Sequence, residues 1–220
     1  MSLGEYVSDH RQRQLVHVLQ ALMTGILLVG LLSGEYGIVV NAGVGLAVTF
    51  LPAILERSYR FTMGVGIVLW ITAAMFLHAL GVVPLPFFDF QSAYSSTWWW
   101  DHMTHALSSS LVAGVAYATV RALDEHTEFI NMPPTFLFVF MLMFVLAFGV
   151  IWELLEFYIS VGAELLGTGS VLTQYGLDDT VQDLFYNSLG GIAVAIFGVT
   201  RLSGVSSQLA DRFEGASPRR

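Results

Sequence analysis

The sequence predicts an all-α fold, a polytopic membrane helical bundle of about six transmembrane helices with both termini in the cytoplasm. Three observations support this prediction. First, 55% of the 220 residues are hydrophobic and 12% are charged, with a mean hydropathy of +0.67, whereas a soluble domain carries about twice that share of charge. Second, the apolar residues form blocks of roughly 18–25 residues, the length that crosses a bilayer. Third, all nine basic residues are Arg, and an alternating topology places them on one side.

The apolar blocks define the predicted spans. The first block is long for a signal peptide and lacks a convincing cleavage site, so we expect it to be retained as a helix. The fourth is the least apolar, because it contains two His residues and a run of three Ser residues. We expect one transmembrane domain over residues 1–220, with a short cytoplasmic segment 1–14 and a flexible polar tail 203–220. The six spans are Leu15–Leu32, Ile38–Leu55, Thr62–Val83, His102–Val120, Thr135–Ser160 and Leu184–Leu202.

The Arg residues determine the predicted orientation, because cytoplasmic links of membrane proteins are enriched in Lys and Arg. If the fourth block is a span, every Arg falls on the side that holds the N-terminus. If it is not, the Arg residues fall on both sides. The sequence therefore predicts a plasma-membrane protein with six crossings and cytoplasmic termini. The Arg residues are Arg11, Arg13, Arg57, Arg60, Arg121, Arg201, Arg212, Arg219 and Arg220.

Two outer links are longer than the others. The link Pro84–Asp101 contains Trp98–Trp100, which we expect at the outer interface, where amphipathic rings prefer to lie. The link Val161–Asp183 contains several Gly residues. On the cytoplasmic side, Pro133 and Pro134 are expected to end the link before the fifth helix.

Carboxylates accumulate on the outer side without basic partners. The predicted topology places nine of them in the outer links or inside the membrane, where it places no Lys or Arg. An isolated charge in hydrocarbon costs several kcal/mol. Carboxylates inside the helices must therefore be protonated, exposed to water, paired with His or bound to a cation. The nine are Glu35, Asp89, Asp101, Glu153, Glu156, Glu164, Asp178, Asp179 and Asp183.

Some of these carboxylates are predicted to lie at the same depth in the membrane as His residues on the same or other helices. Residues three or four apart share one face of a helix, and three spans carry such a pair near the outer end. A lone His lies about one turn from the outer end of the third span. The pairs are Asp101 with His105, Glu153 with Glu156, and Asp179 with Asp183; the lone residue is His78.

These residue types suit a metal centre. Mixed carboxylate and imidazole ligands suit Zn, Mn, Fe or Mg, and helix bundles hold metals with carboxylate-rich sites. A divalent metal would activate water or polarise a phosphoryl or carbonyl oxygen. The predicted ligands are Asp101, His105, Glu153, Glu156 and Asp183, with His78 and His102 as weaker candidates. The predicted catalytic residues are Asp101, His105, Glu153, Glu156, Asp179 and Asp183, and the predicted substrate-binding residues are Asn187, Thr180 and Tyr186.

Each assignment has a structural alternative. The buried acidic groups could form a purely structural polar network. Asp179 and Asp183 could cap a helix N-terminus and interact with its dipole. His78 could be a hydrogen-bonded core histidine, and His102 could lie at the membrane interface.

The motifs at these positions resemble those of the YjdF-type inner-membrane proteins. They are Trp100-Asp101-x-x-x-His105, Trp152-Glu153-x-x-Glu156, Asp179-Thr180-x-x-Asp183 and Gly190. More distantly, the order of a D-x-x-x-H motif, an E-x-x-polar pair and D-x-x-x-N-x-x-G (Asp183, Asn187, Gly190) is similar to that of VanZ-like proteins, which are associated with glycopeptide resistance. Ser109 replaces the Gly of the first pattern, and the Arg that precedes the last Asp of the second is absent. The resemblance implies a six-helix membrane protein with a site at these residues, without implying an activity.

The leading hypothesis is a membrane-embedded enzyme, a hydrolase or transferase with or without a divalent metal, that acts on a lipid or lipid-linked substrate at the outer leaflet. The first alternative is a cation- or proton-coupled transporter; it needs a polar path, and the first two spans offer little besides Thr24, Asn41 and Thr49. The second is a non-catalytic membrane partner protein. The expected partner is membrane lipid, and the net charge of −8 gives no support to nucleic-acid binding.

Overall fold

The computed structural model describes residues 8–126, 132–167, 170–172, 176–197, 202 and 204–210, and most of these residues are helical. Each of the six predicted spans corresponds to a helix, so the all-α prediction is confirmed. A single-turn helix, α4, and a 3-10 turn at Pro86–Phe88 lie in the link before α5. The helices are α1 Asp9–Ser33, α2 Tyr36–Tyr59, α3 Val65–Gly81, α4 Ala93–Ser96, α5 Trp100–His126, α6 Pro134–Leu166 and α7 Leu177–Phe197.

Four of these helices, α1, α2, α5 up to Asp124 and α6, are long and apolar enough to cross a membrane. The apolar helix α3 is shorter, at 17 residues. α7 has 21 residues but carries three Asp within its first seven positions, which lowers its hydropathy. The number of crossings and their orientation therefore remain predictions.

The helix ends differ from the predicted spans, because hydropathy follows the apolar part of a helix rather than its whole length. α6 begins at Pro134, a residue well suited to the first helical position, and continues to Leu166, beyond the predicted end at Ser160. Gly167 follows with a left-handed φ of 63°, which suits a residue that ends a helix. Both ends of the predicted link Val161–Asp183 are therefore helical.

Backbone contacts divide the chain into two compact units, and the divisions fall within the continuous helices α5 and α6 and after residue 174. The first unit comprises Met1–Thr104 and Glu156–Gln174. In it, α1, α2 and α3 pack against one another in pairs around the fully buried residues Met23, Ala42 and Ala79.

The second unit comprises His105–Leu155 and Tyr175–Arg220. In it, α7 contacts both α5 and α6. α7 runs antiparallel to α6, because Thr180 contacts Glu153, whereas Gly191, further along α7, faces Val145, earlier on α6. α7 runs parallel to α5, since His105 lies beside Asp183 and the later residue Gly190 packs against α5 beyond His105.

Two features lie in the remaining described parts of the second unit. Asp124 joins the two sides of the link between α5 and α6, because it accepts hydrogen bonds from Arg121 Nη1 at 2.6 Å and from the Met132 N–H at 2.8 Å. Residues 204–210, in the segment predicted to be a polar tail, are helical, and Ser206 is fully buried. Residues 1–7 of the predicted N-terminal segment and 211–220 of the tail lie outside the described residues.

Candidate metal centre

His105 and Asp183 form the centre of the candidate site. His105 lies on α5 and Asp183 on α7; both are buried, and His105 Nε2 is 3.8 Å from Asp183 Oδ2. This separation is longer than a hydrogen bond. It is shorter than about 4.2 Å, the largest distance between two ligand atoms that each lie about 2.1 Å from one ion. The pair is therefore spaced to share a metal ion.

Asp101 completes a group of three potential ligands. It lies one turn before His105 on the same helix, so the two side chains share a face. One ligand atom from each of Asp101, His105 and Asp183 lies within 4.8 Å of the other two. Three of the five predicted ligands therefore converge.

Glu153 lies next to this group but outside it. The Thr180 hydroxyl donates a hydrogen bond to Glu153 Oε2 at 2.9 Å, and Thr180 is three residues before Asp183 on the same face of α7. The other carboxylate oxygen, Oε1, is buried and accepts no hydrogen bond within the described residues. Glu153 thus has one oxygen fixed by Thr180 and a second available to another group.

Beyond Asp183 along α7, the helices are in close contact. Asn187, one turn beyond Asp183, is buried against α6, and a Cβ on Gly149 would lie 2.7 Å from its Nδ2. One turn further along α7, a Cβ on Gly190 would overlap the carbonyl oxygen of Ala106 and the hydroxyl of Ser109. Gly190 permits the approach of α7 to α5 that places His105 beside Asp183, and Gly149 permits the approach of α6 to α7.

Lys and Arg are absent from the segments of sequence that carry the site. The sequence has no Lys or Arg over residues 61–120 and 122–200, and Arg121 is sixteen residues, roughly 24 Å along a helix, from His105. His105 lies beside Asp183, at 3.8 Å. Carboxylates placed among apolar helices are costly, and a divalent cation at Asp101, His105 and Asp183 would offset part of that cost.

The group of three does not include the other predicted residues. Glu156 is buried three residues beyond Glu153 on α6, in the part of the helix that belongs to the first unit. Asp179 is half-buried in the first turn of α7. Tyr186, also half-buried, has its ring edge-on to Phe185 at 5.5 Å.

Comparison with known proteins places the chain in a family. The family described as "Predicted membrane protein (DUF2238)" matches residues 15–204, most of the chain. The chain belongs to this family. It is the family to which the YjdF-type resemblance refers, so that resemblance is confirmed, whereas the likeness to VanZ-like proteins gains no support. No curated protein and no solved structure matches the chain.

Membership of the DUF2238 family and the structure both indicate a location in the membrane. The family description is that of a membrane protein, and among the described residues four helices are long and apolar enough to cross a membrane. Together they indicate a multi-pass membrane protein.

The two weaker histidine candidates have other partners. His78 Nδ1 is 2.7 Å from the hydroxyl of Tyr94, which also donates to Thr104 Oγ1 at 3.3 Å. The ring of His102 lies edge-on to Trp98 at 6.2 Å. Tyr94 was not among the residues predicted from the sequence, and no motif or spacing singles it out, because its contact with His78 spans the link between two helices.

Proposed function

We propose that this DUF2238 protein is a membrane-embedded, metal-dependent enzyme, a hydrolase or transferase that acts on a lipid or lipid-linked substrate at the outer leaflet. The observation that carries the proposal is the convergence of Asp101, His105 and Asp183, whose ligand atoms lie within 4.8 Å of one another. Ionisable groups buried among membrane helices usually have a functional role.

The residues of the site have different roles. Asp101, His105 and Asp183 hold a divalent metal, for which Zn, Mn, Fe and Mg are candidates. When bound, such a metal acts as a Lewis acid or lowers the pKa of a bound water. Glu153 accepts or returns a proton through Oε1, because Oε2 is occupied by Thr180. The amide of Asn187 hydrogen-bonds polar groups of the substrate.

The position of the site supports a lipid substrate. Asp101 and His105 lie in the first two turns of α5, and Asp183 lies in the second turn of α7. Under the predicted topology these turns lie near the outer surface of the bilayer, at the depth of the lipid headgroups. A soluble substrate would not need a site built into the ends of membrane helices.

The transporter alternative gains no specific support. The three polar side chains named above as a possible path, Thr24, Asn41 and Thr49, are hydrogen-bonded to other protein groups. Thr24 donates to the Gln20 carbonyl, Asn41 donates to the Gly37 and Val171 carbonyls, and Thr49 donates to the Leu46 carbonyl and accepts from the Gln20 side chain.

Metal content is the first test. We expect near-stoichiometric metal in the protein purified in detergent without chelator, measured by elemental mass spectrometry, and its loss in His105→Ala and Asp183→Asn. His10→Ala, which removes an exposed histidine at the start of α1, is the matched control and should keep the metal. A wild-type protein that holds no metal even after reloading would contradict the proposal and make proton-coupled flux the next measurement.

Activity is the second test. Because Glu153 lies outside the group of three, Glu153→Gln should retain the metal and remain folded yet lose activity in hydrolase and transferase assays on lipid substrates. Unchanged turnover in this variant would exclude the role given to Glu153. If neutral substitutions lowered thermal stability and changed neither metal content nor any activity, the cluster would be structural and the protein a non-catalytic membrane partner.

A further inference from the structure

The most exposed large apolar side chains occur at one set of helix ends. Within the described residues, eight such side chains are at least 74% exposed. All eight lie at helix ends or in links that the Arg pattern predicts on the outer side. At the predicted cytoplasmic ends, Tyr59 is 61% exposed and Phe136 51%. The eight are Leu32, Tyr36, Phe87, Phe90, Trp98, Leu165, Leu166 and Leu177.

Two of these side chains project from an ordered tip in the link between α3 and α5, residues 85–91. Phe87 is 90% exposed and Phe90 is 74% exposed. Leu85 and Gln91 form a backbone bridge across the base, and the Phe90 N–H donates to the Leu85 carbonyl at 3.0 Å. Asp89 and Phe90 both adopt a left-handed φ, at 51° and 59°. Aspartate tolerates this region, whereas it is unfavourable for a bulky residue such as phenylalanine. Phe90 is thus exposed on a backbone conformation that it would otherwise avoid.

The tip is also fixed to its own unit by the segment that follows it. Tyr94 on α4 contacts His78 of α3 through its hydroxyl at 2.7 Å and Thr104 of α5 at 3.3 Å. The Tyr94 ring lies so close to Gly81 that a Cβ there would overlap it. Because α4 is attached to both flanking helices, the exposed phenylalanines are a feature of the folded chain.

We propose that the tip inserts into the interfacial layer of the outer leaflet, with Phe87 and Phe90 in contact with lipid. The tip joins helices of a membrane protein and so lies at the bilayer boundary, where aromatic side chains are favoured. It contains one acidic residue, Asp89, and no basic residue, so its binding does not depend on anionic headgroups. This inference does not depend on the proposed enzyme activity.

Spin labels can locate the tip, because the chain contains no Cys and a single introduced Cys is a unique attachment site. Phe87→Cys and Phe90→Cys would be labelled and reconstituted in phosphatidylcholine nanodiscs. Val44→Cys, in the middle of α2 and 60% exposed, is the reference for lipid, and His10→Cys, at the exposed start of α1, is the reference for water. Accessibility to oxygen and to a water-soluble nickel chelate would be measured by power saturation.

We expect both tip labels to be more accessible to oxygen and less accessible to nickel than the label at position 10, with a ratio that approaches that at position 44. Nickel accessibility equal to that at position 10 would place the tip in water and overturn the proposal. Low accessibility to both reagents would mean that protein, such as a second copy of the chain, covers the tip, and would also overturn it. Gel filtration of each labelled protein checks that the fold is retained.

Discussion

Glu153 has a buried carboxyl group, 4% exposed, on an apolar helix. Thr180 satisfies one of its oxygens at 2.9 Å, and the other accepts no hydrogen bond in the described part of the chain. A buried acceptor left unsatisfied costs about 1–3 kcal/mol, and such groups in native proteins usually serve catalysis or bind an ion or water. An apolar residue of similar size would remove this cost, so the carboxylate is better explained by a function than by stability.

The hydrogen bond from Thr180 can be removed with little change of shape. We expect Thr180→Val to lower the free energy of unfolding by about 1–3 kcal/mol, because both buried oxygens of Glu153 then lack a donor among the described residues. Thr119→Val is the matched control, since the Thr119 hydroxyl is exposed and bonds within its own helix, to the Val115 carbonyl. Denaturant unfolding in detergent measures both variants, and equal small effects would contradict the role given to Thr180.

Sequence spacing could predict some of these residues but could not assign their roles. Asp101 and His105 are four apart, which places them on one face in any helix, and Asp183 was found from its depth near the start of α7. Nothing in the spacing separates Glu153 from the ligands, because that separation depends on how α6 is rotated against α7. Similarly, His78 was predicted as a weak ligand, and only tertiary contacts pair it with Tyr94.

α7 organises the site because its polar and small residues form one stripe. Thr180, Asp183, Asn187 and Gly190 follow one another at intervals of three or four residues, so they share a helix face. The first contacts Glu153 of α6, the second contacts His105 of α5, and the last packs against the α5 backbone. The spacing of the candidate metal-binding pair, His105 and Asp183, therefore depends on the distance between α5 and α7, which Gly190 limits.

Replacing Gly190 tests this dependence. A Cβ at this position would overlap a backbone oxygen, that of Ala106, which cannot move without its helix. We expect Gly190→Ala to separate α5 from α7, to lower stability by about 1–3 kcal/mol and to reduce the metal content. Gly191→Ala is the matched control, because its Cβ would lie 3.4 Å from Val145, an ordinary contact. Thermal unfolding and elemental mass spectrometry measure both effects, and similar values for the two variants would show that the α5–α7 distance is not limiting.

Hydropathy predicted the existence of the helices better than their ends. Each of the six predicted apolar blocks corresponds to a helix, and four of the described helices are long and apolar enough to cross a membrane. Polar residues such as Asp178 and Asp179 lie within a helix all the same, since acidic side chains are favourable in a first turn. The exact ends of a helix therefore depend on local signals, such as Pro134 and Gly167 at the two ends of α6. A hydropathy average does not detect these signals.

The directions of the helices bear on the topology of the chain. Consecutive crossings alternate in direction, so α5 and α7 should be parallel and α6 antiparallel to α7. The contacts within the second unit have these directions. This agreement supports consecutive crossings by α5, α6 and α7, although the first turns of α7 are acidic. The side on which the chain begins is predicted by the Arg residues alone.

Labelling of single cysteines tests both the number of crossings and the side of the membrane on which the chain begins. Six crossings with cytoplasmic termini predict that Ser96→Cys, in the exposed link before α5, reacts with a membrane-impermeant maleimide in intact cells. His10→Cys and Ser207→Cys should react only after the membrane is permeabilised, since position 10 lies at the start of α1 and position 207 follows α7. Labelling at position 207 but not at position 10 in intact cells would mean an odd number of crossings, as expected if α7 does not span. Labelling at positions 10 and 207 but not at 96 would reverse the orientation and move the candidate metal centre to the cytoplasmic leaflet.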